Sequence, residues 1–128
     1  MKQSYRDLEV YRTSFELFLK THRFSMRLPS YEKFELGSQI RRSADSVNSN
    51  IVEGYGRRRY KREFIRFLTF SLASNDELTN HLKKICFLYP NLKAEANELQ
   101  EAYERVGKQL NNFIRYVAQN WKTPTSNQ

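Results

Sequence analysis

The residues best equipped for chemistry lie between Gly54 and Arg66. Arg57, Arg58, Arg59, Lys61, Arg62 and Arg66 carry positive charge there, with Tyr55 and Tyr60 between them. Guanidinium and ammonium groups bind phosphates, and tyrosine rings stack on bases, so the segment has the parts of a nucleic-acid contact. On a helix starting near Arg58, residues 58, 62 and 66 share one face, with 57 and 61 beside them. Such a strip can follow a phosphate backbone. No base-reading motif accompanies it, so little sequence preference is expected. The same cations also suit an acidic protein surface, including Glu95 to Glu104 of a second copy.

A second constellation lies just before it. Leu36, Ile40, Ala44, Val47 and Ile51 step by three and four and make one apolar seam. One position earlier run Gln39, Ser43, Ser46, Asn50 and Glu53, a polar seam of the same period. These side chains either face water or form a hydrogen-bonded layer between helices or subunits, with Arg42 as a paired cation. The layer is the favoured reading, and it must be well satisfied, because each buried polar group left alone costs about 1–3 kcal/mol. Gly54 then reads as a helix stop in the left-handed region.

Enzyme chemistry finds little support. The chain has no glycine-rich phosphate loop, no G-x-S-x-G and no H-E-x-x-H. His22 reads as a hydrogen-bonded residue near a helix end. Cys86, the only cysteine, reads as a small buried thiol. A metal site would have to combine His22 and His81 with carboxylates, and none is expected; nor is a cofactor. Net charge is +8, and residues 1–62 hold 14 Lys and Arg against 7 Asp and Glu, so the front half supplies most of it. Such asymmetry points to a polyanion, nucleic acid before membrane. No apolar run approaches the roughly 20 residues of a membrane span. A soluble, cytoplasmic protein is the expectation.

Four helices must position these groups, at about 6–26, 31–53, 58–88 and 92–119. In the first, Leu8, Tyr11, Phe15, Phe18 and His22 form one row and Val10, Ser14, Leu17, Thr21 and Phe24 another, a wide face for two neighbours. Pro29-Ser30 breaks the chain after it. Ser74-Asn75-Asp76 can cap a fresh helix within the third, but an unbroken apolar register argues for continuity. Phe70 and Phe87 fall off that register and hint at contact with another subunit. Asn91 is the expected cap of the last helix. There Leu92, Ala96, Leu99, Tyr103, Val106, Leu110, Phe113 and Val117 keep a strict heptad. The fold class is all-α, an up-down-up-down four-helix bundle over residues 1–121 with a disordered tail at 122–128.

Several of these segments resemble a known family. Pro29-Ser-Tyr-Glu32, the run from Leu36 through Gln39-Ile-Arg-Arg42-Ser, Ser46, Asn50-Ile-Val-Glu-Gly54 to Gly56-Arg57, and Ser74-x-x-Glu77-Leu78 are similar to the proteins encoded in intervening sequences of bacterial 23S rRNA genes. Asp7-Leu-Glu-Val-Tyr11 fits as well. The resemblance implies a four-helix bundle assembling as a ring-like homopentamer, without known catalysis. It marks Gln39, Arg42, Ser46, Asn50, Glu53 and Gly54 as signature positions, structural or at an interface. A related branch, the accessory variability proteins of diversity-generating retroelements, binds nucleic acid and a reverse transcriptase through basic surfaces. The expected function is therefore non-enzymatic nucleic-acid binding, RNA favoured. The alternative is a protein-interaction scaffold or reverse-transcriptase accessory subunit in which the charge serves assembly.

Overall fold

The computed structural model describes residues 4–122, and all of their regular structure is helical. The elements are a 3-10 turn at Tyr5–Asp7, α1 Glu9–Ser25, a single turn α2 Ser30–Lys33, α3 Leu36–Gly56, α4 Lys61–Leu88, a 3-10 turn Pro90–Leu92 and α5 Lys93–Asn120. Four long helices pack in a cycle: α1 on α3, α3 on α4, α4 on α5, and α5 back on α1 more loosely. This is the expected antiparallel bundle. The residues expected as a disordered tail lie outside the described part after Lys122.

The seams read from spacing become the core. Ile40, Ala44, Val47 and Ile51 of α3 meet Phe64, Leu68, Leu78, Leu82 and Ile85 of α4 and the α5 heptad from Leu92 to Val117. On α1 only one of the two rows is fully used. Val10, Ser14, Leu17, Thr21 and Phe24 are buried, whereas Phe15 and His22 of the other row are exposed. Several of the polar groups inside are tied. Thr21 Oγ1 and Tyr103 Oη lie 2.8 Å apart, and Ser71 Oγ donates to Val47 O at 2.6 Å. Burial pushes the Tyr103 phenol well above its ordinary pKa, because the charged form has no water to stabilise it.

Element boundaries depart from the sequence expectation at several places, α4 opening at Lys61 instead of about 58 among them. The first helix opens with a separate turn, capped by Ser4, whose Oγ accepts from Arg6 N at 3.1 Å while its own N–H donates to Asp7 Oδ2 at 3.1 Å. The second helix is divided at Phe34–Glu35 and reaches Gly56 instead of Glu53. Arg41 holds the division, donating to Lys33 O at 2.9 Å and Ser25 Oγ at 2.8 Å. Gly54 does not stop α3, and no residue described has positive φ. Its glycine answers a different need: a Cβ there would lie 3.2 Å from Phe67 Cβ and 3.3 Å from Phe64 O, so only a bare Cα lets α4 come this close. Asn91 is no cap either, since Pro90–Leu92 forms a 3-10 turn and α5 begins at Lys93 behind Leu92.

At Ser74-Asn75-Asp76 the helix continues, giving α4 its full 28 residues and a length of about 42 Å. The side chains that could have capped a new helix are used across the bundle. Ser74 Oγ sits 2.7 Å from Ser46 Oγ, and Asn75 Nδ2 donates to Tyr103 O at 2.7 Å.

Candidate nucleic-acid interface

The cationic segment falls at the corner where α3 hands over to α4. Gly56 ends α3, Arg57 to Tyr60 form the turn, and Lys61 opens α4. Arg58 is therefore in the turn, not on the helix, and only Arg62 and Arg66 share an α4 face as expected. Backbone bonds from Arg57 N to Gly54 O (3.0 Å) and from Tyr60 N to Arg57 O (2.8 Å) keep the turn tight.

Most of the positive charge here is already engaged. Arg57 bridges two carboxylates, with Nε 3.0 Å from Glu53 Oε2 and Nη1 3.5 Å from Glu63 Oε1, and its guanidinium lies 4.7 Å from the Phe67 ring centre. Arg58 Nη1 donates to Tyr55 O at 3.0 Å while its guanidinium covers the Tyr55 ring at 4.1 Å. Lys61 Nζ donates to Ala118 O at 2.8 Å, a cation on the last turn of α5 where the helix dipole is negative. Arg66 shares Glu63, 3.5 Å away, and lies 5.3 Å from the Phe70 ring centre. The ion pairs of Arg57 and Arg66 are largely solvent-exposed, so each contributes only about 0–1 kcal/mol and can exchange for a phosphate.

Arg59 and Arg62 differ: both are exposed and neither has a hydrogen-bond or ion-pair partner among the described residues. Tyr60 beside them is 59% exposed. Tyr55 must be corrected. It is 4% exposed and packs edge-on against Phe64 (6.0 Å) and Trp121 (6.4 Å), so it supports the corner from the core and offers no face to a base. Trp121, which the sequence reading left at the end of the domain, closes this aromatic cluster, 5.1 Å from Phe64, and donates from Nε1 to Arg58 O at 3.3 Å.

The polar seam of α3 divides into two kinds of residue. Ser46 meets Ser74, and Asn50 Nδ2 donates back to Ser46 O at 2.9 Å and Oγ at 3.0 Å, so these form a small bonded layer toward α4. Gln39, Arg42 and Glu53 are exposed, Glu53 holding Arg57. Arg42 has no partner among the described residues. Ser43 is buried in the core.

Elsewhere, His81 has both ring nitrogens buried without a hydrogen-bond partner, and Glu77 Oε2 at 3.7 Å from Nε2 is too far for one. Cys86 is buried, and that burial raises its thiol pKa. Among the described residues no three His, Cys, Asp or Glu side chains gather as a metal-binding group. No described helix is long and apolar enough to cross a membrane.

The sequence model described as "23S rRNA-intervening sequence protein" matches residues 6–112. The chain belongs to that family. No match to a curated protein accompanies it. Within the 23S rRNA-intervening sequence proteins, the matched span takes in the whole corner from Gly54 to Arg66 and the α3 polar seam. It ends before the last turn of α5, so Ala118, Trp121 and Lys122 are outside it.

Proposed function

We propose that this 23S rRNA-intervening sequence protein is a non-enzymatic helical bundle that assembles with copies of itself and binds nucleic acid, RNA favoured. One observation carries the reading. At the α3–α4 corner, Arg59 and Arg62 stand exposed and unpartnered beside Tyr60. Arg57 and Arg66 flank them in weak surface ion pairs that a phosphate can replace. The net charge of +8 extends the same attraction over the whole molecule. Phosphate contact dominates the chemistry, so affinity is expected to depend on salt far more than on sequence.

The test is a titration of labelled single-stranded RNA, duplex RNA and duplex DNA at several ionic strengths. Tight binding at low salt that weakens steeply as salt rises supports the reading and ranks the ligands. An absence of binding at low salt removes it.

The second reading, a scaffold for protein partners, is favoured by the opposite end of the bundle. Phe34 and Phe87 are 80% and 79% exposed there, beside exposed Tyr31 and Leu88. Aromatic groups this bare mark contact surfaces more often than solvent surfaces. A purified cellular complex that keeps a defined protein partner after nuclease treatment would favour the scaffold.

A further inference from the structure

The ends of α3 and α5 border an open cleft that the family match spans only in part, since Trp121 and Lys122 lie outside it. Its volume is about 370 Å³, and its lining is Gly56, Arg58, Arg59, Trp121 and Lys122. The lining is unusual in chemistry: three cations, an indole and no carboxylate.

Each part has a distinct mechanical role. Trp121 is fixed from behind, its ring edge-on to Phe64 at 77° and its Nε1 bonded to Arg58 O. The indole is thus ordered before any ligand arrives, which removes an entropy cost from binding. Arg58 is held to Tyr55 and supplies a stationary charge. Arg59 has no partner among the described residues. Gly56 borders the cleft, and a Cβ at this position would meet no heavy atom within 4 Å, so the space beside it is empty.

We infer that the cleft takes one unpaired nucleotide of a single-stranded nucleic acid, its phosphate between Arg59 and Lys122 and its base against the Trp121 indole. The inference rests on the nucleic-acid reading above and narrows it to a site. Cations alone would accept any phosphate, including those of a duplex. The indole is what selects, since a base must leave its helix before an aromatic side chain can stack on it.

Trp121 is the only tryptophan, so its emission reports this cleft directly. The experiment adds oligo(rA), oligo(dA) and duplex RNA to the full chain, following tryptophan emission and, in parallel, the anisotropy of labelled strands. Both single strands are expected to quench emission with the midpoint seen by anisotropy, while the duplex leaves emission unchanged. Gly56→Leu would place a side chain in the cleft, starting from a Cβ that meets no heavy atom within 4 Å. It should weaken single-strand binding about 5- to 150-fold, the loss of one stacked base, with no fall in melting temperature. Arg59→Ala and Lys122→Ala should each lower the salt slope by about 0.7.

Binding by anisotropy with steady emission and an unaffected Gly56→Leu variant would overturn the cleft and leave the wider reading intact. Quenching by duplex equal to that by single strands would overturn the unpaired-nucleotide assignment. Failure of every strand to bind would remove both.

Discussion

The two ends of the bundle use their residues in opposite ways. At the α3–α4 corner, a charge-rich sequence folds so that Arg57, Arg58, Lys61 and Arg66 are spent largely on the protein itself, and the aromatic Tyr55 goes inside. At the other end, Tyr31, Phe34, Phe87 and Leu88 stay bare, and the polar groups turn inward instead. There Arg41 binds Ser25 and Lys33, and Tyr89 donates to Glu32. Residue type therefore does not assign the role at either end. Charge density overstates the free charge of one, and hydrophobicity overstates the core of the other.

Truncating one aromatic at each end should separate the two roles most strongly. Phe64→Ala, under the corner, should cost about 3–5 kcal/mol in urea unfolding, because a fully buried ring leaves a cavity among Tyr55, Phe113 and Trp121. Phe34→Ala should change protomer stability by no more than about 0.5 kcal/mol. Comparable losses would mean that the apolar end is core after all.

Two glycines of the corner sharpen the next contrast. Gly54→Val should cost about 1–3 kcal/mol by overpacking against Phe67 and Phe64. Gly56→Ala, facing open space, should be neutral or stabilising by up to about 1 kcal/mol through helix propensity. Equal unfolding midpoints for the two variants would contradict the close α3–α4 approach.

At the apolar end the informative readout is mass. Phe34→Ser with Phe87→Ser should lower the sedimenting mass toward that of a protomer while unfolding remains cooperative. An unchanged mass would place the proposed self-association on another face or, where the wild type already sediments as a protomer, remove it. A small effect is expected for Lys61→Ala, about 0.3–1 kcal/mol from the lost contact with the α5 terminus. Arg62→Ala should leave stability alone and weaken only nucleic-acid binding.

Much of the bundle was legible because long seams constrain it. The α5 heptad and the α3 stripe each repeat often enough that one exception cannot disguise the face. The corner was less legible, and for a specific reason. Tyr55 stands four residues after Ile51 and continues the buried stripe, but reading Gly54 as a helix stop hid that step. Trp121 likewise continues the α5 seam four residues after Val117. Pairing of Arg57 with Glu53 follows from their i, i+4 spacing, whereas Lys61 reaching Ala118 joins residues 57 apart and leaves no local signal. Gly54 is conspicuous in sequence but its reason is not, since close helix approach and left-handed backbone call for the same residue.

One measurement tests most directly whether free charge at the corner binds nucleic acid. Affinity for single-stranded RNA would be followed between about 50 and 300 mM salt for the wild type, for Arg59→Ala/Arg62→Ala and for Arg57→Ala/Arg66→Ala, where each lost single-strand phosphate contact lowers the slope by about 0.7. The first pair should weaken binding and reduce the slope by about 1.4, and the self-paired second pair by clearly less. A second pair that matters more, a first pair that matters not at all, or a wild type that fails to bind at the lowest salt would contradict the account.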